Sequence, residues 1–102
     1  MANSRLNLQK ELEELTNVKV YFQPPENVRL TYPCVLYELS DIESRYANNH
    51  NYLNFKRYTV TAVTTNPDSP MVESIMKHFE KASFDRRFKS DNLYHDVVTL
   101  YY

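Results

Sequence analysis

With 102 residues, 42% apolar and 25% charged, the chain has room for one domain and one hydrophobic core and is too apolar to be disordered. A net charge of −1 gives no general attraction to phosphate, which disfavours a nucleic-acid reader, and a single cysteine, Cys34, excludes an internal disulfide and suits a reducing compartment. No apolar run approaches the ~20 residues of a membrane span, and the N-terminus lacks a signal-peptide core. Glycine is absent altogether, where ordinary usage of ~7% would supply about seven. Positions with positive φ must therefore fall to other residues, of which Asn is the most tolerant. Asn48, Asn49, Asn51, Asn54 and Asn92 are candidates. The same absence removes Gly-rich phosphate loops and the G-x-S-x-G nucleophile elbow.

In chain order, residues 4–15 read as a helix. Ser4 is placed to cap it, and Leu8, Leu12 and Leu15 recur at helical spacing, with Glu11 among them. Thr16-Asn17 ends the pattern. Val18, Val20 and Phe22 then alternate with Lys19 and Tyr21, as a short strand does. The run QPPEN at 23–27 breaks it, and Pro33 marks the entry to a third element, CVLYEL. That run is apolar on both faces apart from Glu38. It therefore predicts a central strand with helices on one side and other material, such as a neighbouring subunit, on the other.

Residues 40–54, SDIESRYANNHNYLN, are polar and rich in asparagine, between two clear strands. A connection this long without structure of its own is either a solvated hairpin loop or an arm that orders on a partner. In the second reading Tyr46 and Tyr52 anchor the arm, and Asp41, Glu43 and Arg45 orient it; these five are the candidate subunit or lumen contacts.

Residues 54–81 organise the rest. Tyr58, Val60 and Ala62 alternate with Arg57, Thr59 and Thr61, a half-buried strand. NPDSP at 66–70 stops it, because two prolines fix φ and remove two donors. Ser69 then serves as N-cap and Pro70 as first helical residue, with Val72, Ile75, Met76 and Phe79 as one apolar stripe. SFDRRF at 83–88 and YHDVVTLY at 94–101 are two more strands, joined by a turn in which Asn92 takes the left-handed conformation. The order α-β-β-β-α-β-β predicts an α+β fold, a mostly antiparallel sheet of about four to five strands with two helices packed on one face.

No constellation for catalysis emerges. His95 and Asp96 are adjacent in a strand, so they point to opposite faces and cannot pair. His78 falls on the polar side of its helix. Cys34 lies in the most apolar strand, where a buried inert thiol is expected. No Cys/His spacing fits a metal site, and Asp85, Arg86, Arg87 and Lys89 fit a solvated edge better than a phosphate clamp. The expectation is a non-enzyme without cofactor or metal. Nine Tyr and five Phe are more aromatics than so small a core can hold, which points to contacts between subunits.

The block YPCVLYELSDIESRYANNHNYLNFKRYTVT, then NPDSP, then SFDRRFKSDNLYHDVVTLYY resembles the tail terminator, or tail completion, proteins of long-tailed bacteriophages. The resemblance covers about residues 32–102. Its most specific pieces are Tyr32-Pro33-Cys34, the NPDSP turn ahead of the helix, and Asp91-Asn92-Leu93 with His95-Asp96; Tyr94 departs from it, since similar sequences often carry Asn there. It implies a small subunit of a homo-oligomeric, hexameric ring at the head-proximal end of the virion tail, assembled in the bacterial cytoplasm. Such a ring stops polymerisation of the tail tube protein and docks to the head-completion (stopper) protein, and double-stranded DNA passes through its lumen without sequence-specific binding. Two alternatives stand beside it: a head-side stopper or adaptor ring of the same connector, and a small DNA-binding or host-modulating phage protein.

Overall fold

A computed structural model describes residues 5–24, 29–47 and 50–102, and over 42–47 and 50–55 it describes the backbone alone. The fold is α+β, in the order α1 (Arg5–Thr16), β1 (Lys19–Phe22), β2 (Cys34–Ala47), β3 (His50–Thr64), α2 (Met71–His78), β4 (Ala82–Ser90) and β5 (Leu93–Tyr101). The strands form one five-stranded sheet ordered β1-β2-β3-β5-β4, in which β1 runs parallel to β2 and the other pairings are antiparallel. The chain leaves β3 through α2, reaches the far edge as β4, and returns as β5 between them.

Each helix is explained by which residues it can hide. Ser4, the expected cap of α1, lies outside the described residues. The helix buries Leu8 and Leu12 and sets Leu15 against the same core. It ends in a left-handed cap, with Asn17 at φ 55° and its N–H donated to the Glu13 carbonyl at 2.8 Å. For α2 the structure shifts the expected register. Pro70 is the N-cap and Ser69 Oγ accepts only a long bond, 3.4 Å, from the Met71 N–H. The buried line is Met71, Ile75 and Phe79, with Val72 at its margin, and Met76 faces out. Met71 and Phe79 each lie only about 40° from Ile75 around the helix, one to either side, whereas Met76, one residue on from Ile75, is rotated about 100° away.

Both helices cover one face of the sheet. Val35 and Tyr37 of β2, Tyr58, Val60 and Ala62 of β3, and Val98 and Leu100 of β5 meet them in a single cluster. Tyr37 and Tyr58 are almost fully buried, at 2% and 1% exposure, so the core absorbs part of the aromatic excess. Tyr37 keeps its hydroxyl satisfied by donating to Gln9 at 2.8 Å and accepting from Arg5 at 3.1 Å. On the opposite face Cys34 and Val63 are also buried. Part of what covers that side of β2 is the chain's own connection. The Thr31 N–H reaches the Tyr21 hydroxyl at 3.3 Å, and Gln23 and Pro24 border a depression of about 390 Å³ over Leu36, Thr59 and Thr61.

Positive φ goes where glycine would otherwise be wanted: Asn17, Gln23, Asp91 and Asn92. Asp91 joins the expected Asn92 because Ser90 pairs with Leu93, and a two-residue hairpin turn of this kind takes both central residues left-handed. Of the other asparagines expected to serve this way, Asn51 and Asn54 are in β3, and Asn48 and Asn49 lie outside the described residues, as do Pro25, Glu26 and Asn27 of the breaker run.

Candidate functional site

Residues 40–47 and 50–54 are strand and not loop. β2 and β3 stay paired from Cys34↔Val63 to Ala47↔His50, long after their neighbours have stopped. β1 ends level with Tyr37, and β5 ends level with Arg57, with one further bond from the Tyr102 N–H to the Lys56 carbonyl at 3.0 Å. Beyond that line, residues 41–47 and 50–56 form a two-stranded ribbon. At ~3.3 Å per residue it extends about 23 Å. The molecule measures 51 × 29 × 23 Å, with a radius of gyration of 14.6 Å against about 13 Å for a compact chain of this length. Asparagine and serine masked these strands, because β-propensity reports mainly on packing and a ribbon away from the core packs little.

Two bulges punctuate the ribbon. Ser40 is the extra residue between the pairs Leu39↔Tyr58 and Asp41↔Arg57. Its hydroxyl donates to the Arg57 carbonyl at 2.9 Å and accepts from Arg57 Nε at 3.3 Å, and Arg57 reaches Asp41 at 3.9 Å. The base of the ribbon is thus fastened by side chains. Tyr52 is the extra residue between Arg45↔Leu53 and Tyr46↔Asn51. Of the five candidate contacts, Asp41 is exposed at the base. Glu43 and Arg45 follow at alternate register positions opposite Phe55 and Leu53, Tyr46 pairs with Asn51, and Tyr52 is the extra residue of the distal bulge. The side chains of those four, like that of His50, lie outside the described residues.

Several titratable groups outside the ribbon make contacts that hold the sheet together. Arg87 makes a two-pronged ion pair with buried Asp96, Nε to Oδ1 at 2.5 Å and a terminal nitrogen to Oδ2 at 3.0 Å, from paired positions on β4 and β5. Arg86 pairs with Asp85 at 2.6 Å. Two of the three cations on β4 are thereby neutralised, as a solvated edge predicts and a phosphate clamp does not. His95 stacks on Phe88 with centroids 4.6 Å apart, and its Nδ1 lies 3.1 Å from the Leu93 carbonyl. Burial pushes the Cys34 thiol up to about 11, so it is neutral and poorly nucleophilic at pH 7. Among the described residues no cluster of three or more His, Cys, Asp or Glu is arranged to hold a metal ion. No described helix is long and apolar enough to cross a membrane.

His78 is exposed, as expected of the polar side of α2, and it also has a partner. Its Nε2 lies 2.9 Å from Glu11 on α1, and the same carboxylate accepts from the Tyr102 hydroxyl, so Glu11 joins α1, α2 and the last residue. Burial raises the Glu11 carboxyl, but the His78 and Tyr102 hydrogen bonds and the imidazole charge together bring it below its usual 4.5. For Tyr102, burial and the Glu11 carboxylate push the phenol up to about 12. A lowered carboxyl adds stability that is present above 4.5 and lost as pH falls through its folded value. A raised phenol adds stability that is present below 10 and lost as pH rises towards about 12. Thermal melts from pH 2 to 12 should therefore show Glu11→Gln less stable than wild type at neutral pH, with the gap closing in acid. Parallel curves at every pH would remove the role given to this node.

No protein-family model matches the chain, and no curated protein matches it.

Proposed function

We propose that this chain is a structural subunit that works only in assemblies: a tail terminator that forms a ring on the head-proximal end of a phage tail tube, ends tube growth and joins the tail to the head connector. The observation that carries the reading is the ribbon of residues 41–47 and 50–56. A two-stranded hairpin without a third layer is marginal alone in water, and one that extends about 23 Å from its domain gains most by lying against a partner. In this reading the ribbon makes the contacts to the next subunit or the lumen, with Asp41, Glu43 and Arg45 as orienting charges and Tyr46 and Tyr52 as anchors.

Two further features agree with it. A net charge of −1, with Arg86 and Arg87 tied to Asp85 and Asp96, suits a lumen through which DNA slides without being gripped. A repeated heterologous contact whose rotation closes gives a ring and not a fibre. The test is the mass of the purified chain, alone and mixed with tail tubes. A closed multimer seated at tube ends supports the proposal, and a solitary chain that ignores the tubes ends it.

A further inference from the structure

The sheet has two edge strands, β1 and β4, and their free sides differ. Along β1 runs a groove of about 810 Å³, walled on the helix side by Glu13 near the end of α1 and on the other side by Thr31, Tyr32 and Pro33, with Val20 and Tyr21 at its floor. The Gln23 N–H bonds the Tyr37 carbonyl at 2.9 Å, so odd-numbered residues of β1 face β2. The N–H and C=O groups of Val20 and Phe22 consequently point into the groove. α1 carries no basic residue in its last turn, where Glu13 and Glu14 add to the negative end of the helix dipole. The helix-side wall is therefore electronegative.

β4 is the opposite. It spans nine residues, is exposed along almost its whole length, and presents Phe84 and Phe88 at 48% and 41% exposure. Past the bulge at Asp85, register with β5 puts Arg87 and Lys89 on the helix side of the sheet and Arg86 and Phe88 on the other. The Tyr101 N–H bonds the Lys81 carbonyl at 3.1 Å, so odd-numbered residues of β5 turn their main-chain groups to β4; Val97 and His95 therefore bond Arg86 and Phe88, which leaves the main-chain groups of Arg87 and Lys89 on the outer side.

We infer that copies of this chain join head to tail by strand addition, β4 of one copy lying in the groove along β1 of the next. The inference rests on the ring reading above and assigns it a contact. Strand directions allow it: β4 runs opposite to β1, so the junction is antiparallel with all helices on one side. Levels match as well. The transverse row Lys19–Cys34–Val63–His95–Phe88 sets Phe88 level with Lys19 of the next copy, and the rows on either side set Arg86 level with Tyr21 and Lys89 level with the end of α1. Lys89 then meets the Glu13 wall while Phe88 meets the tyrosine side. Two β4 edges paired with each other would instead leave the Glu13 wall of the groove without a cation opposite it. The result is β-augmentation with the same polypeptide as donor and acceptor.

A charge swap tests it. Glu13 and Lys89 are both exposed, so Glu13→Lys and Lys89→Glu leave the fold intact, as unchanged melting curves will verify. Each single variant should raise the concentration at which the ring dissociates by at least about tenfold, and the double variant should return it to within about threefold of wild type. Single variants that assemble normally, or a double variant no better than the singles, overturn the β4–β1 contact while leaving the ring itself standing. A Lys89→Glu chain that dimerises more strongly points to β4–β4 pairing and also overturns it. A wild-type chain that never forms a ring removes this contact and the ring reading together.

Discussion

If the chain is a tail terminator, cutting its ribbon short should leave it folded and unable to cap tail tubes. The clean excision replaces residues 43–55 with a two-residue Asn-Gly turn, so that Ile42 and Lys56, already paired, close the hairpin. Among the residues whose side chains are described, the buried cluster from Leu8 to Leu100 lies outside the excised segment. The pin between Ser40, Asp41 and Arg57 also survives, as does the Lys56 carbonyl that receives the Tyr102 N–H. Because a bare hairpin adds little stability, the melting temperature should stay within about 4 °C of wild type, the equivalent of about 1 kcal/mol. Capping, in contrast, should vanish. A gentler version reverses two charges, Asp41→Lys with Glu43→Lys, and should impair head–tail joining or DNA ejection with the fold untouched. Normal phage yield from that double variant, or efficient capping by the shortened chain, would show that the ribbon is not a contact.

The second large effect is on stability. Ile75 is fully buried where α2 meets the sheet, and the helix that carries it has only eight residues. Isolated helices of that length do not hold together in water, so α2 exists because Met71, Ile75 and Phe79 are packed. Truncating Ile75→Ala removes transfer energy and leaves a cavity, a loss of about 2–5 kcal/mol. For a domain of this size that is a large part of a total of about 5–15 kcal/mol. The melting temperature should fall by at least about 8 °C. The neighbouring Met76→Ala, on the outward side, should change it little. Equal effects at both positions would contradict the helix register.

The comparison of these two residues shows what the sequence could convey. Apolar periodicity located both helices and the core strands, and the order of elements implied the fold class. The stripe read from the sequence included Met76 and passed over Met71, and the structure exchanges them, because the line that meets the core is Met71, Ile75 and Phe79. The ribbon was hidden for a different reason. Its strands owe their pairing to main-chain bonds continued from the sheet, and an asparagine-rich composition carries no trace of that. A signal was nevertheless present: two residues, Asn48-Asn49, separate the paired Ala47 and His50, the spacing of a tight hairpin. The Glu11–His78–Tyr102 node and the Arg87–Asp96 pair join residues far apart in sequence or across a hairpin, and no periodicity announces such meetings. Asp41, Glu43, Arg45, Tyr46 and Tyr52 were identified because they broke the composition around them, and the register then placed them along one projecting element.

The central claim is that this subunit is made to be covered by copies of itself and by other tail parts. Native mass spectrometry of the purified chain, with and without tail tubes, addresses it most directly. A species close to six times the 12.2 kDa of one chain, appearing alone or nucleated by tube ends, is the predicted result. A mass that stays at 12.2 kDa under both conditions would contradict it.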